Sequence, residues 1–238
     1  MKKAIVIGAS SGIGKELARL LVKNGYIVGI TGRRKNLLID LKNENPDKYF
    51  IGSFDLTDTY NIKTNLESLV RQLDGVDLLI ISSGTGDTND RLDFEIEKRT
   101  IEVNVTGFTA VCDWAFNYFA EQKTGHIVGI TSVAGIRGSR HAPSYNATKA
   151  YQINYLEGLH QKAKKLKSRL FVTDIRPGFV NTDMAKGDGL FWVANVEKAA
   201  YQIFKAIKQK SSVAYVTKRW LLVAILLKYM PKWIYLKM

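Results

Sequence analysis

The sequence predicts an α/β fold in which parallel β-α-β units form a single domain. Seven short apolar runs rich in β-branched residues alternate with stretches of helical periodicity. A glycine-rich turn joins the first of these runs directly to a helix. The length of 238 residues suits one domain with a substantial core. Strands that alternate with helices favour a parallel sheet with right-handed crossovers.

The elements follow one another along the whole chain. The strand-like runs lie at residues 3–7, 26–30, 49–51, 76–81, 126–130, 170–175 and 213–217. The longest helical patterns lie at residues 58–73, 93–121 and 144–167. Parallel sheets bind ligands at the carboxyl ends of their strands, so functional residues are expected at or just after these runs.

The turn after the first strand has the composition of a phosphate-binding loop. Its residues are Gly8, Ala9, Ser10, Ser11, Gly12, Ile13 and Gly14, and residues 15–23 continue with helical periodicity. Glycines let the backbone turn tightly and approach a pyrophosphate, whose charge meets backbone N–H groups and the positive helix end. The spacing is G-x-x-x-G-x-G, so the prediction depends on the position between strand and helix. The alternative is a flexible Gly/Ser turn.

A second group of residues has the chemistry of a carbonyl/alcohol redox site. Tyr145 and Lys149 are four residues apart, which places them on one helical face, and Ser132 lies thirteen residues before the tyrosine. The unperturbed pKa of tyrosine is about 10, and a neighbouring ammonium would lower it. A serine at a strand end is suited to polarise a carbonyl oxygen while the tyrosine gives or takes the proton.

The same Tyr-x-x-x-Lys spacing occurs again at Tyr201 and Lys205. Here the residue thirteen positions earlier is Asp188, which offers no neutral donor to a carbonyl. The surrounding residues have the pattern of an ordinary amphipathic helix. We therefore predict that Tyr201 is a packing residue.

Taken together, these residues resemble the short-chain dehydrogenase/reductase family. From residue 1 to about 217, its motifs are matched in order by Gly8-x-x-x-Gly12-x-Gly14, Asn104, Ser132, Tyr145-x-x-x-Lys149 and Pro177-Gly178. The resemblance implies a Rossmann-type, doubly wound, mainly parallel seven-stranded sheet flanked by helices. It also implies an NAD(P)-dependent enzyme that interconverts a ketone or aldehyde and an alcohol by hydride transfer. Family members commonly form homodimers or homotetramers.

The resemblance assigns a catalytic role to each of four residues. Tyr145 would be the general acid/base, and Ser132 would orient the substrate oxygen. Lys149 would lower the pKa of the tyrosine and bind the nicotinamide ribose, and Asn104 would hold a water in a proton relay. The alternative is a non-catalytic NADP-sensing or scaffold protein on the same fold, since fold does not fix function. The intact set of four residues argues against that alternative.

The resemblance also implies where the cofactor binds. Besides the turn, the matching positions are Asp55 and Leu56 for the adenine, Ser83 and Gly84 in place of an Asn-Ala-Gly element, Tyr145 and Lys149, and Pro177, Gly178, Val180 and Thr182 for the carboxamide. The chain departs from the family pattern at two places. Ile7 replaces a threonine, and the turn at 82–84 contains no asparagine. Local hydrogen bonds must therefore be made differently there.

The end of the second strand bears on the choice between NAD and NADP. NAD enzymes usually place a carboxylate there for the ribose 2′-hydroxyl, whereas residues 32–35 are Gly-Arg-Arg-Lys. Guanidinium groups fork onto phosphate oxygens. We predict that NADPH is preferred over NADH, with Arg33 as the principal contact and Arg34 beside it. The alternative is a solvated basic loop.

Residues 218–238 form a C-terminal tail that is basic, aromatic and apolar. The chain has a net charge of +13, and nine of its Lys and Arg residues but no acidic residue follow Glu197. The apolar run 220–227 is shorter than the roughly 20 residues that span a bilayer. We predict that the tail packs on another subunit or over the substrate pocket. The alternative is peripheral contact with the inner membrane face, because the tail contains aromatic residues that favour the headgroup region, namely Trp220, Tyr229, Trp233 and Tyr235.

In the family, the stretch after Thr182 closes the substrate pocket. Here that stretch, residues 183–192, is short and contains glycine. Phe191, Trp192 and the tail favour a lipophilic carbonyl, such as an acyl-chain or isoprenoid compound, over a sugar. The alternative is that these aromatics only pack the lid.

Other classes of function are disfavoured by what the sequence lacks. A single cysteine, Cys112, rules out an intrachain disulfide and fits a reducing cytoplasm, and we expect it in the core. The three histidines lie apart with no cysteine cluster, so no metal site is expected. No zinc-ligand set, RNA-recognition motif or tandem basic helix accompanies the charge, so nucleic-acid binding is not expected either. The first apolar run is a strand and not a signal peptide.

Overall fold

Seven parallel strands form one sheet in the computed structural model, which describes residues 1–185 and 190–237. The strands are β1 (Lys2–Ile7), β2 (Tyr26–Thr31), β3 (Tyr49–Gly52), β4 (Leu78–Ile81), β5 (Thr124–Ile130), β6 (Arg169–Pro177) and β7 (Val213–Val216). Their order is β3-β2-β1-β4-β5-β6-β7, and every neighbouring pair is parallel. The predicted doubly wound parallel sheet is confirmed. The strand order reverses between β1 and β4, where open sheets of this kind bind ligands.

Helices connect the strands and cover both faces of the sheet. They are α1 (Gly12–Lys23), α2 (Lys35–Glu44), α3 (Thr59–Leu73), α4 (Phe94–Ile101), α5 (Phe108–Gln122), α6 (Pro143–Lys165), α7 (Val196–Gln209), α8 (Trp220–Tyr229) and α9 (Lys232–Tyr235). The helical pattern predicted over 93–121 is interrupted by a wide π-helical turn at Glu102–Gly107. Such turns are frequent at functional sites, and this one contains Asn104.

Side chains alternate between two hydrophobic layers along the central strands. Ala4 and Val6 of β1 pack beneath α1, α2 and α7, whereas Ile5 and Ile7 pack beneath α3, α5 and α6. This is the period of two expected of a strand that is buried on both faces. Cys112 lies in the second layer, as predicted. The layers hold the carboxyl ends of the strands at one edge of the sheet.

One packing prediction is wrong. Helix α7 is amphipathic as expected, with Ala200, Ile203 and Phe204 buried, but Tyr201 is 62% exposed. Its position falls on the solvent side of the helix, so the ring does not join the core.

The C-terminal helices pack over the end of β7. Trp220 and Ala224 of α8 are buried and contact Val133, in a short 3₁₀ turn after β5. Among the described residues, no helix is both long and apolar enough to cross a bilayer.

Candidate active site

A continuous cleft of about 1850 Å³ runs along the carboxyl edge of the sheet. Small-molecule sites are commonly about 300–1,000 Å³, so this cleft has room for a dinucleotide and a substrate together. Every predicted site residue lines it except Gly14 and Asn104. Gly14 belongs to the start of helix α1 and packs beneath the glycine-rich loop. Asn104 lies behind the cleft wall.

The glycine turn is shaped by close approaches of the backbone. Gly8 has φ +87°, and a Cβ there would lie 2.7 Å from the backbone nitrogen of Ser83. A Cβ on Gly14 would overlap the carbonyl oxygen of Gly8. Ser11 precedes α1 but makes no side-chain cap, so the helix start is left open towards the cleft. Such a helix N-terminus suits the negative charge of a phosphate.

Two arginines border this turn, and they make different contacts. Arg34 donates from Nη2 to the hydroxyl oxygens of Ser10 and Ser11, at 3.0 and 2.7 Å. Arg33 lies 3.5 Å from a carboxylate oxygen of Asp55, and both of these side chains are substantially exposed. The expectation placed Arg33 first, but Arg34 is the residue that reaches the turn.

The turn after β4 lies against the end of β1. The backbone N–H of Ser82 donates to the carbonyl of Ile7 at 2.8 Å, so the main chain ties these two strands together. The buried hydroxyl of Ser83 has no hydrogen-bond partner among the described residues. This orphaned oxygen and the close-packed glycine turn fit a polar ligand such as a dinucleotide. Gly84 lies nearby, and a Cβ added to it would lie 3.4 Å from the Lys149 Nζ.

Ser132, Tyr145 and Lys149 converge at the end of β5. The Ser132 hydroxyl accepts from the Ala134 N–H at 3.1 Å and lies 3.5 Å from the Pro177 carbonyl oxygen, to which it donates. Helix α6 carries the other two residues, and the Lys149 Nζ lies 5.8 Å from the centre of the Tyr145 ring. The i,i+4 spacing therefore brings the phenol and the ammonium together as predicted.

Burial dominates the electrostatics of this group. Burial raises the pKa of Tyr145, and a hydrogen bond with Ser132 partly opposes that rise. Burial also lowers the pKa of Lys149 to about 8, against the attraction of the Asp174 carboxylate. Lys149 directs its hydrogen bonds to the Ile130 carbonyl and to Gln152, at 3.1 and 2.9 Å. Ser132 is thus a group that favours the tyrosinate. The effect of the Lys149 ammonium on the pKa of the tyrosine stays a prediction.

Asn104 is fully buried and anchors a loop over the site. Its side-chain amide donates to the Thr85 carbonyl at 2.6 Å, and its amide oxygen accepts from the Thr85 N–H at 2.9 Å. The main-chain oxygen of Asn104 accepts from Nε2 of Gln152 at 2.8 Å. Gln152 was not predicted from the sequence as a site residue. Its one signal is a polar residue three positions after Lys149, on the buried face of a helix.

The opposite end of the cleft is walled by aromatic side chains. Trp220 is 4% exposed, stacks on Phe191 with centroids 5.1 Å apart, and meets the edge of Phe179 at 5.3 Å. A Cβ on Gly178 would overlap its indole ring. This burial agrees with packing of the tail over the pocket and not with a headgroup position for Trp220, because the ring fills the space beside this glycine. Within residues 1–185 and 190–237, its indole N–H has no hydrogen-bond partner.

The remaining predicted residues of this end lie beside that wall. Val180 is buried and bridges to Ala194, and Thr182 packs against the position of Gly12. Tyr235 is also not free for a headgroup, because its hydroxyl donates to the Gly138 carbonyl and Arg137 lies over its ring. In the predicted lid, residues 186–189 lie outside the described residues, and Asp188 is one of them.

Comparison with known proteins agrees with this arrangement. A family model described as short chain dehydrogenase matches residues 2–189. An uncharacterized oxidoreductase of Myxococcus xanthus is 33% identical over 188 residues, which cover 77% of this chain and 74% of that protein. An actinorhodin polyketide ketoreductase solved with NADPH is 28% identical, with a TM-score of 0.72 over 77% of this chain and 72% of that one. A Burkholderia phymatum short chain dehydrogenase/reductase in complex with NAD has a TM-score of 0.83 at 17% identity, over 94% of this chain and 92% of that one.

Proposed function

The chain belongs to the short-chain dehydrogenase family of oxidoreductases, and on that premise we propose that it is an NADP-dependent enzyme that interconverts a lipophilic ketone or aldehyde and its alcohol. One observation carries the proposal. The cleft that contains the glycine turn also contains Ser132, just after β5, and Tyr145 and Lys149 of α6. A protein that only sensed NADP or acted as a scaffold would not require this group beside the turn.

Each of the three residues has a distinct task in the proposed reaction. A bound nicotinamide cofactor supplies the hydride for reduction or accepts it in oxidation. Ser132 donates a hydrogen bond to the substrate oxygen, and Tyr145 gives that oxygen its proton, or takes it in the reverse direction. Lys149 holds its ammonium beneath the tyrosine ring, towards the expected ribose position.

The proposed cofactor contacts extend along the cleft on both sides of these residues. The group on one side would hold the phosphates and the adenosine, and it comprises Gly8, Ser10, Ser11, Gly12, Ile13, Arg33, Arg34, Asp55 and Leu56. The group on the other side would hold the nicotinamide, and it comprises Ser83, Gly84, Pro177, Gly178, Val180 and Thr182. Gly14 and Asn104 act from behind, by shaping the turn and the loop.

NADP is favoured over NAD by the charges at the end of β2. Two guanidinium groups border the turn there, and no carboxylate occurs among residues 32–35. A 2′-phosphate would be met by charge-assisted hydrogen bonds from Arg34 and Arg33 and by the hydroxyl of Ser10. The NADPH in the 28% identical ketoreductase is consistent with this preference.

A lipophilic substrate is favoured by the lining of the other end. Phe179, Phe191, Trp220, Val223, Leu227 and Met230 line it. Apolar walls of this kind bind apolar groups, and a few polar groups fix the orientation. A carbonyl compound with an acyl or isoprenoid chain fits that pattern better than a sugar. Cytoplasmic location and assembly into homodimers or homotetramers stay predictions.

The decisive test is Tyr145→Phe, measured as NADPH-dependent reduction across a panel of aliphatic ketones and aldehydes. The change deletes only the transferable proton, so turnover should fall roughly 10²–10⁴-fold while NADPH binding persists. The matched control is Tyr201→Phe, which alters the tyrosine of the second Tyr-x-x-x-Lys sequence. Near-normal turnover in Tyr145→Phe would refute the role. NADPH binding without turnover of any carbonyl by the unmodified protein would favour the sensor.

A further inference from the structure

The outer surface of helices α8 and α9 combines exposed apolar side chains with positive charge. We propose that this tail surface docks on an anionic lipid bilayer. It comprises the apolar residues Leu221, Leu222, Ile225, Leu226, Tyr229, Trp233, Ile234 and Leu236, and the basic residues Lys218, Arg219, Lys228, Lys232 and Lys237. Contact with a bilayer requires no catalysis, so the inference goes beyond the proposed function.

Helix α8 is apolar on both of its faces, although only one face packs on the protein. Trp220 and Ala224 are buried, whereas Leu222 is 68% and Tyr229 75% exposed. Leu222, Ile225, Leu226 and Tyr229 follow the i, i+3, i+4, i+7 spacing of a single helical ridge. Trp233 on α9 extends the apolar area and is 66% exposed. An exposed apolar patch with a basic rim is a mark of an interaction site.

The charge of the tail surface favours lipid over a second copy of the chain. A two-fold dimer would bring the same patch against itself, and its lysines against their own copies. No acidic residue follows Glu197 in the chain to neutralise them. Juxtaposed like charges oppose association, whereas anionic headgroups attract each Lys and Arg near the surface.

The chemistry of the apolar residues fits contact at the bilayer interface. Trp and Tyr side chains favour the headgroup region, and leucines insert at the acyl boundary. Leu226, Lys232 and Leu236 belong to the tail surface and also line the cleft. The mouth of the cleft therefore opens where the bilayer would lie. A lipophilic substrate would reach it without crossing water.

Co-sedimentation of the full chain with vesicles tests the proposal. We expect binding to vesicles that contain phosphatidylglycerol, none to phosphatidylcholine alone, and weakening as salt is raised. The double variant L222Q/I225Q, which changes residues outside the cleft, should weaken binding at least roughly tenfold through lost apolar burial. The double variant K228Q/K237Q should weaken it roughly tenfold through lost attraction to the headgroups.

Matched controls use exposed residues of the same types elsewhere. L166Q/Y201Q removes two exposed apolar side chains, and K164Q/K165Q removes two exposed lysines, so both should bind vesicles like the unmodified protein. Absence of vesicle binding would overturn the proposal. So would a dimer in analytical ultracentrifugation that L222Q/I225Q dissociates, since a second copy would then cover the surface. Neither result depends on enzymatic activity.

A separate observation concerns the hydrogen bonds of Gln152. We propose that Gln152 is a positioning residue that holds the Lys149 ammonium. This second inference rests on the proposed function. The fully buried Gln152 amide accepts from Lys149 Nζ at 2.9 Å and donates to the Asn104 carbonyl at 2.8 Å. The amide bridges the two groups directly.

The test compares Gln152→Leu with Gln152→Glu. Leucine removes an acceptor that favours the charged ammonium, so the pKa of Lys149 should fall further, whereas a carboxylate should raise it. Competitive acetic anhydride labelling with mass spectrometry reports that pKa whether or not NADPH binds. The pH midpoint of NADPH binding should move in the same directions. Gln202→Leu, on α7, is the control and should move neither.

The outcomes separate this inference from the proposed function. An unchanged Lys149 pKa in both Gln152 variants would show that the amide only fills space, even if NADPH binds normally. A protein that never binds NADPH would refute the proposed function, while the labelling result would still decide the role of Gln152.

Discussion

The two ends of the cleft are built from different kinds of structure. At the phosphate end, the shape comes from the backbone, since Gly8 and Gly14 allow approaches that any Cβ would block. At the substrate end, the shape comes from side chains, with Trp220 as the centre of an aromatic group. A backbone cradle demands particular residues at particular positions. An apolar wall demands only volumes that fit, and many sequences supply them.

The two ends also differ in the kind of ligand that they are suited to bind. The phosphate end presents a helix terminus and two guanidinium groups to a charged ligand. The substrate end presents apolar rings and the indole N–H of Trp220, which finds no hydrogen-bond partner in the part of the chain that the structure describes. We infer that the first end binds a ligand common to many enzymes, and that the second decides which carbonyl compound enters.

The largest expected effect comes from removing the centre of the aromatic wall. Trp220→Ala should lower the free energy of unfolding by about 3–5 kcal/mol, because a fully packed ring is lost and a cavity is left. Urea denaturation measures it. Trp233→Ala is the matched control, because that ring is largely exposed, and it should change stability by about 0.5 kcal/mol or less. Equal losses in the two variants would show that Trp220 does not hold this end together.

A smaller effect is expected at the phosphate end, where the affected quantity is cofactor affinity and not the free energy of unfolding. Arg34→Gln should weaken NADPH binding roughly tenfold to a hundredfold and leave NADH binding unchanged, through the loss of charge-assisted hydrogen bonds. Arg33→Gln should have a lesser effect, because its guanidinium already pairs with Asp55. Fluorescence titration with both cofactors measures these changes.

The control for this prediction is Lys35→Gln, which removes a neighbouring charge that does not line the cleft. If Lys35→Gln weakened NADPH binding as much as Arg34→Gln, a general positive field and not a specific contact would explain the preference. Equal weakening of NADH and NADPH by Arg34→Gln would contradict a 2′-phosphate contact.

The same contrast explains which features the sequence predicted. The strands, the glycine turn and the pair Tyr145 and Lys149 depend on local periodicity and on spacing within one turn or one helix. Gln152 and Trp220 depend on contacts with residues far away in the chain, so their surroundings leave no local pattern. Arg34 displaced Arg33 at the turn because adjacent residues in a loop point in different directions. For Tyr201, an amphipathic pattern identified the helix but misjudged its solvent-facing side.

The smallest predicted effect concerns a buried histidine outside both ends of the cleft. It distinguishes the pH dependence of folding stability from the pH dependence of NADPH binding. His126 on β5 is buried, and its Nε2 lies 2.8 Å from the Thr173 hydroxyl oxygen. Burial lowers the pKa of His126 to about 4, with a further contribution from the positive charge of Lys210. The unfolded chain has a histidine pKa of about 6.5, so it takes up a proton first as the pH falls. Stability from this residue is complete above about pH 6.5 and is lost towards pH 4.

Between pH 7 and 5.5, this histidine should account for a loss of about 1 kcal/mol in the free energy of unfolding. His126→Gln keeps a donor for Thr173 but does not titrate, so its stability should fall less over that interval. Urea denaturation of both proteins at the two pH values isolates the difference, because all other groups are shared. NADPH binding should keep the same pH dependence in the variant, since His126 does not line the cleft. If stability fell equally with pH in both proteins, the histidine would already be charged in the folded protein. If the pH dependence of NADPH binding changed in His126→Gln, the protonation of His126 would be linked to the phosphate end of the cleft.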